Sequence, residues 1–378
     1  MNTSILSHAE YQSRLASVRT PEDAAALAQE LLAPMLARMA APAQAEARPL
    51  PEALPANRAA TTKTARRSPH PAPWQDVAGS DHEAMVISLY ARGMTTRDVA
   101  SYMHAHHGME LSQPAVSAIT DKVYPLVKEW QSRLLAPCYP IVYLDGLHFK
   151  VRESGRIAPK VAYIAMGVSQ YGQKEVLGIW TSETEGAKFW MGVLSDLRNR
   201  GVDDIFIACV DGLKGFPEAI RAVFPKAEVQ VCIAHQVRHT MMFLPHKDRK
   251  RFCEDLRAVY TAHSDEAGLA ALRDVMERWP QYRSYLQSWE ARWADLAPFF
   301  GYPEPIRRMI YTTNAIESLN RQFRKVTKTT CVFPHDDALV KLLWLAQSEI
   351  SQRWTAAQRG WGEAMAQLSI LFPDRVQF

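Results

Sequence analysis

The chain has 378 residues, 47% of them hydrophobic and 22% charged, which predicts two or three packed units, because single cores stop growing at roughly 250–300 residues. No apolar run approaches the roughly 20 residues that span a bilayer, and the N-terminus lacks the basic-then-apolar layout of a signal peptide, so membrane and secreted classes are excluded and a cytoplasmic protein is expected. Five cysteines without a repeating spacing argue against a disulfide framework, and a net charge of +4 leaves any nucleic-acid role to depend on where the charges fall.

Residues 1–40 read as helical, with Thr20 as N-cap, Pro21 at the first helical position and Glu22 and Asp23 in the first turn. Residues 41–79 read as an Ala/Pro-rich linker, with a run of prolines from Pro42 to Pro73. Residues 80–136 then carry three helix starts: Ser80 with Glu83, Thr95 with Asp98, and Ser112 before Gln113 and Pro114. Gly93 and Gly108 stop the first two helices. The pattern fits a helix-turn-helix-like DNA-binding domain, whose third helix would bring Gln113, Ser117 and Thr120 to base edges, and it fits equally a small bundle that only packs.

From residue 137 the periodicity becomes strand-like. Ile141–Asp145 and Ile205–Asp211 are short apolar runs, each closing on an aspartate before a glycine. Val161–Val168, Glu175–Trp180 and Val229–Ile233 read as further strands, and Gly186–Arg200 and Lys214–Val223 as helices. Three strands, helix, strand, helix, strand predicts a mixed α/β sheet over 137–242. Residues 243–304 turn helical, and 305–378 return with a basic helix that carries Glu317.

Aspartates at the ends of apolar strands suit ligand binding, since ligands gather at such ends in open α/β sheets. Asp145 and Asp211 placed side by side would repel, and a divalent cation would relieve that; oxygen ligands favour magnesium or manganese. Each aspartate alone is better explained as a turn acceptor before glycine. Glu317 alters the balance. At 100° per residue, Ile316, Leu319, Phe323 and Val326 share one helix face, and Glu317 heads the other with Arg321, Arg324, Lys325 and Lys328. Together with Arg307 and Arg308, six basic residues face one acid between Pro305 and Lys328, a local charge larger than that of the whole chain. A row of this kind is what phosphate binding needs. The bland alternative is a capping box between Asn314 and Glu317.

Longer motifs add a resemblance. Leu144-Asp-Gly-Leu-His148, Ala208–Ile220 around Asp211, Val231-Cys-Ile-Ala-His235, Tyr311–Arg321 and Ser88–Asp98 resemble the Mutator-type transposases of bacterial insertion sequences, from about Glu83 to the C-terminus. The resemblance implies a ribonuclease-H-like core with Asp145, Asp211 and Glu317 as a catalytic, metal-holding triad, interrupted by an all-helical insertion. Cys232 and His235 match the family's Cys-x-x-His signature; two ligands do not make a zinc site, which favours a structural or positioning role. Trp293 matches a tryptophan of the family's insertion, for which core packing and stacking on a DNA base are equally open. Ahead of the helix-turn-helix the family usually carries a strand-rich, Arg-containing segment, where this chain has only its linker.

The expected reaction is cleavage at a transposon end followed by attack of the freed 3′-OH on target DNA, with two Mg²⁺ or Mn²⁺ ions about 3.5–4 Å apart. Expected partners are double-stranded DNA, both terminal inverted repeats and target, and a second copy of the chain in a homodimer or higher assembly. A ribonuclease-H-like nuclease that cuts without joining, and a non-catalytic DNA-binding relative, are the rival readings.

Overall fold

The computed structural model describes residues 72–183, 186–213, 215–311 and 314–376. The helix expected over residues 1–40 and the linker up to residue 71 lie outside the described residues, as does Lys214. The described residues all belong to one compact unit, Arg66–Phe378.

The local signals of residues 80–136 translate directly into helices. Helix α1 (Asp81–Ala91) starts where Ser80 Oγ accepts from the Glu83 amide. Helix α2 (Thr96–His107) starts at a full capping box between Thr95 and Asp98 and stops at Gly108 in the left-handed region. Helix α3 (Gln113–Asp121) starts where Ser112 Oγ accepts from the Ala115 amide. Each cap satisfies an otherwise orphaned amide of the first turn. Val86, Val99, Met103 and Val116 bury against one another to make a small core for the three helices. A further helix, α4 (Tyr124–Ser132), which the sequence did not announce, leads to the sheet.

Strands β1 (Cys138–Glu153), β2 (Arg156–Val168), β3 (Lys174–Ser182), β4 (Asp204–Val210) and β5 (Glu228–Val231) form one mixed sheet in the order β3-β2-β1-β4-β5. The first three are antiparallel, and β1, β4 and β5 run parallel. The β1–β2 turn at Ser154 and Gly155 takes φ of 47° and 80°, the positive-φ pair that a tight hairpin requires. Helices α5 (Ala187–Asn199) and α6 (Phe216–Val223) supply the crossovers. They cover one face, where Tyr163 meets Trp190 edge to face and Trp190 stacks on Phe216.

Asp145 was expected to close its strand. Instead β1 runs eight residues beyond it, still paired with β2 as far as Glu153–Arg156. Its pairing with β4 does stop at Leu144–Val210, so one edge of β1 falls free from Asp145 onward. Phe333 takes up part of that edge, its amide and carbonyl bonded to Lys150 and Arg152. Likewise Ile233 belongs to a helix, α7 (Ile233–Met242), and not to the strand expected to include it.

Helices α8 (His246–Tyr260), α9 (Asp265–Arg278), α10 (Arg283–Ala291), α11 (Trp293–Leu296) and α12 (Glu304–Ile310) follow the sheet, the first four filling the helical region expected over 243–304. Trp289 is buried at its centre, where its Nε1 donates to Thr240. Helix α13 (Asn314–Thr327) buries Ile316, Leu319 and Phe323, the apolar face read from the sequence. Helix α14 (Asp336–Ser351) is buried along most of its length, and α15 (Trp361–Leu371) follows. None of the five cysteines forms a disulfide, and no described helix is long and apolar enough to cross a membrane.

Candidate active site

Leu144, Val210 and Val231 are neighbours in register across β1, β4 and β5. The next residues along these parallel strands are therefore Asp145, Asp211 and Cys232, side by side at the end of the parallel pairing. Tyr143 and Asp145 share a face by strand alternation, opposite the face of Gly146, which pairs with Tyr163. On the Tyr143 face the Tyr143 hydroxyl donates to the Met309 carbonyl of α12, and the Asn320 Nδ2 of α13 donates to Asp145 Oδ2 at 2.5 Å. These contacts bring Glu317, one turn before Asn320, over the strand ends. Asp145, Asp211 and Glu317 line a single cavity of about 670 Å³.

Burial pushes the Asp145 carboxyl up to about 6; His235 and the Gly146 amide oppose the rise and Asp211 adds to it. Burial also raises Asp211, against the pull of the Leu213 amide, His235 and Arg292. Both aspartates are thus carboxylates taken out of water without enough compensating charge. Glu317 Oε1 instead meets Arg238 Nη2 at 3.1 Å and His235 Nε2 at 3.7 Å. Glu317 lies in the first turn of α13, and its carboxylate is engaged by Arg238 and His235.

Cys232 is the N-cap of α7, its sulfur accepting from the His235 amide at 3.5 Å. The hydrogen bond to Cys232 and the nearby Asp145 hold His235 up at about 9, against the effect of burial. The ligand atoms of Cys232, His235 and Glu317 lie within 4.8 Å of one another. The Cys-x-x-His motif thereby closes on the third carboxylate.

Arg321 and Arg324 line the cavity, while Lys325 farther along α13 and Lys328 just after it are exposed. Sequence reasoning missed Arg238, Arg292 and Asn320 at the same cavity. Asn320 stands three residues after Glu317 and Arg238 three after His235, the spacing that puts helical neighbours on one face; that signal was available. Arg292 carried none, since it arrives from the helical region and packs on Gly212, where an added Cβ would meet its Nη1 at 2.7 Å.

One expected DNA contact is corrected and two more have partners within the protein. Thr120 is fully buried and accepts from Lys341 Nζ at 3.0 Å, so it faces α14 and not a base edge, while Gln113 is exposed and Ser117 half-buried. Arg307 spends its guanidinium on the carbonyls of Tyr302, Ala262 and Phe300, which ties α12 to the helical region and leaves little for phosphate. Trp293 donates to Asp265 and packs near Phe300, outside the carboxylate cavity. Arg308 is exposed and paired with Glu304.

Residues 77–357 match the family described as Transposase, Mutator family. The transposase for insertion sequence element ISRM3 of Rhizobium meliloti is 46% identical over 297 residues, 78% of this chain and 74% of that protein. A probable transposase for an insertion sequence element of Corynebacterium diphtheriae is 42% identical over 314 residues, 77% of this chain and 91% of its own. Among solved structures, the Drosophila P element transposase strand transfer complex overlaps 72% of this chain and 79% of that chain, at 11% identity and a TM-score of 0.30, too low a likeness to carry an argument.

Proposed function

The chain belongs to the Mutator family of insertion-sequence transposases, and on that premise we propose that Asp145, Asp211 and Glu317 form a metal-dependent site that cuts DNA at transposon ends and joins the freed 3′ end to target DNA. The observation that carries the reading is the convergence of these three carboxylates on one cavity whose other lining includes Arg238, Arg292, Arg321 and Arg324. The fold supports it too: adjacent aspartates where the parallel pairing of β1 and β4 stops, beside a helix with the third acid, suit a ribonuclease-H-like core, with α1–α3 as the helix-turn-helix-like module.

A hard divalent cation fits the donor set. Three carboxylates offer oxygen ligands, the two aspartates are raised by burial, and a buried oxygen beside them, Asn320 Oδ1, has no hydrogen-bond partner among the described residues. Magnesium or manganese, as two ions, would offset the carboxylate charge and supply Lewis acidity to the attacking and leaving oxygens of an in-line displacement. The protein's own groups do the positioning. Asn320 fixes the Asp145 carboxylate, Arg238 fixes Glu317, and Arg321 and Arg324 draw the phosphodiester across the cavity. Paired transposon ends call for a homodimer or higher assembly.

The test is Glu317→Gln, with Asp145→Asn and Asp211→Asn beside it, in Mg²⁺-dependent nicking and end-joining on DNA carrying the element's terminal repeats. An amide is a poor ligand for a hard cation, so each variant should fold and bind DNA yet neither nick nor join. A Glu317→Gln protein that nicks at the wild-type rate would remove Glu317 from the chemistry. Nicking without joining in the wild-type protein would favour the nuclease reading.

A further inference from the structure

Helix α7 has two working faces. His235, Arg238 and His239 line the carboxylate cavity. On its other side Ile233 and Val237, one turn apart, floor a second pocket of about 490 Å³ closed by Tyr260 of α8 and by Tyr311, just after α12. Arg238 borders both pockets, and Arg257 completes the rim of the second. Among the described residues no acid lines this second pocket. It therefore combines an apolar floor, two phenol rings and two guanidinium groups, within one side chain's reach of the carboxylates.

The Tyr311 backbone is anchored to α7. The Tyr311 carbonyl accepts from the Ile233 amide at 3.2 Å, which ties it to the start of α7, and the Tyr311 ring lies 6.2 Å from that of Phe299. Tyr260 is half-buried, and burial raises its hydroxyl, keeping it a neutral donor. A nucleobase has what this pocket would recognise: a flat π-face for the rings, polar edges for the hydroxyls, and a flanking phosphate for the arginines. Trp293, the tryptophan that the sequence suggested for stacking, lines neither pocket.

The geometry points to the pocket between α7 and α8 as the seat of one unstacked nucleobase of the DNA strand whose backbone enters the carboxylate cavity, with Tyr260 and Tyr311 as stacking residues and Arg238 spanning from base pocket to cleavage site. This rests on the DNA-cutting reading of the carboxylate site and deepens it. The pocket assigns a reason for cutting at one phosphate, because seating a base fixes the register of the strand. A mismatched or already unpaired nucleotide at that position should be favoured, since the cost of unstacking is then reduced or absent.

The experiment uses the full chain in EDTA, so that no strand is cut, and a duplex with an unpaired 3′ tail carrying 2-aminopurine, beside a fully paired duplex of the same sequence. Wild-type protein should quench the 2-aminopurine on binding. Tyr260→Leu and Tyr311→Leu, which keep apolar bulk without a ring, should lose the quench and bind the tailed duplex roughly ten-fold more weakly, with the paired duplex bound as before. Tyr260→Phe and Tyr311→Phe, which keep the ring, should restore the quench and most of the affinity, losing only the hydroxyl contacts to the base edge. Full quenching by both Leu variants, or displacement of the tail by dAMP at equal affinity, would overturn the assignment. Glu317→Gln should still quench while failing to nick in Mg²⁺; if it quenches and nicks, the carboxylate reading falls and the base pocket stands.

Discussion

Gly93 offers a way to ask how rigidly the N-terminal helices are coupled to the helix of the third acid. Its φ is +92°, and a Cβ there would meet the backbone of Val326 on α13, 2.3 Å from the carbonyl oxygen and 2.7 Å from Cα. The Gly93 carbonyl also accepts from Thr329 Oγ1 at 2.5 Å. Gly93→Ala therefore meets two costs, about 1–2 kcal/mol for a side chain at positive φ and about 1–3 kcal/mol for overpacking against backbone that no rotamer change relieves. Gly108→Ala isolates the first, because its φ is +63° and nothing lies within 4 Å of the added Cβ. Urea unfolding should then show Gly93→Ala about 2–5 kcal/mol less stable than wild type and Gly108→Ala only about 1–2, with unchanged m-values. Because relief of the clash shifts α13, nicking by Gly93→Ala should fall by up to about a hundred-fold, while Gly108→Ala stays near wild type. Equal losses of stability in the two variants would refute the idea that Gly93 is wedged against the helix that carries Glu317.

Arg307→Ala should cost about 2 kcal/mol of stability, since it strips three carbonyls of their donor, and leave the salt dependence of DNA binding unchanged. Arg321→Ala and Arg324→Ala should do the reverse: stability within about 0.5 kcal/mol of wild type in unfolding curves, and a salt slope reduced by about one unit per lost phosphate contact. Thr120→Val should destabilise by about 1–3 kcal/mol through the buried Lys341 it leaves short of an acceptor; a changed sequence preference with unchanged stability would restore Thr120 to the DNA surface. In metal-free buffer the raised Asp145 carboxyl means that the folded state holds a proton the unfolded state has already lost. Stability from this group is therefore gained as pH falls through about 6 and lost as it rises, and Asp145→Asn should flatten that part of the pH–stability curve.

What the sequence determined by itself is what is encoded over three or four residues or in a contiguous motif. Ser80, Thr95 and Ser112 each cap a helix through an amide three residues on, so the starts of α1 to α3 were legible from spacing alone. The apolar runs gave the strand and helix order, and the periodicity of 314–327 gave the buried face of α13 with its basic opposite face. Asp145, Asp211 and Glu317 stood out through motifs, not through contact. Tertiary structure alone decided which groups surround them and which charges are free. Asn320 reaches Asp145 across 175 residues and Arg238 reaches Glu317 across 79. Arg307 and Arg308 are adjacent in sequence with the same side chain, yet one is consumed by carbonyls and the other is exposed. Whether β1 stopped at Asp145 depended on β2, which goes on pairing where β4 leaves off. A capping hydroxyl finds its amide within its own turn, whereas the partner of a guanidinium or a strand edge comes from wherever the chain returns, and that is settled only when the whole core packs.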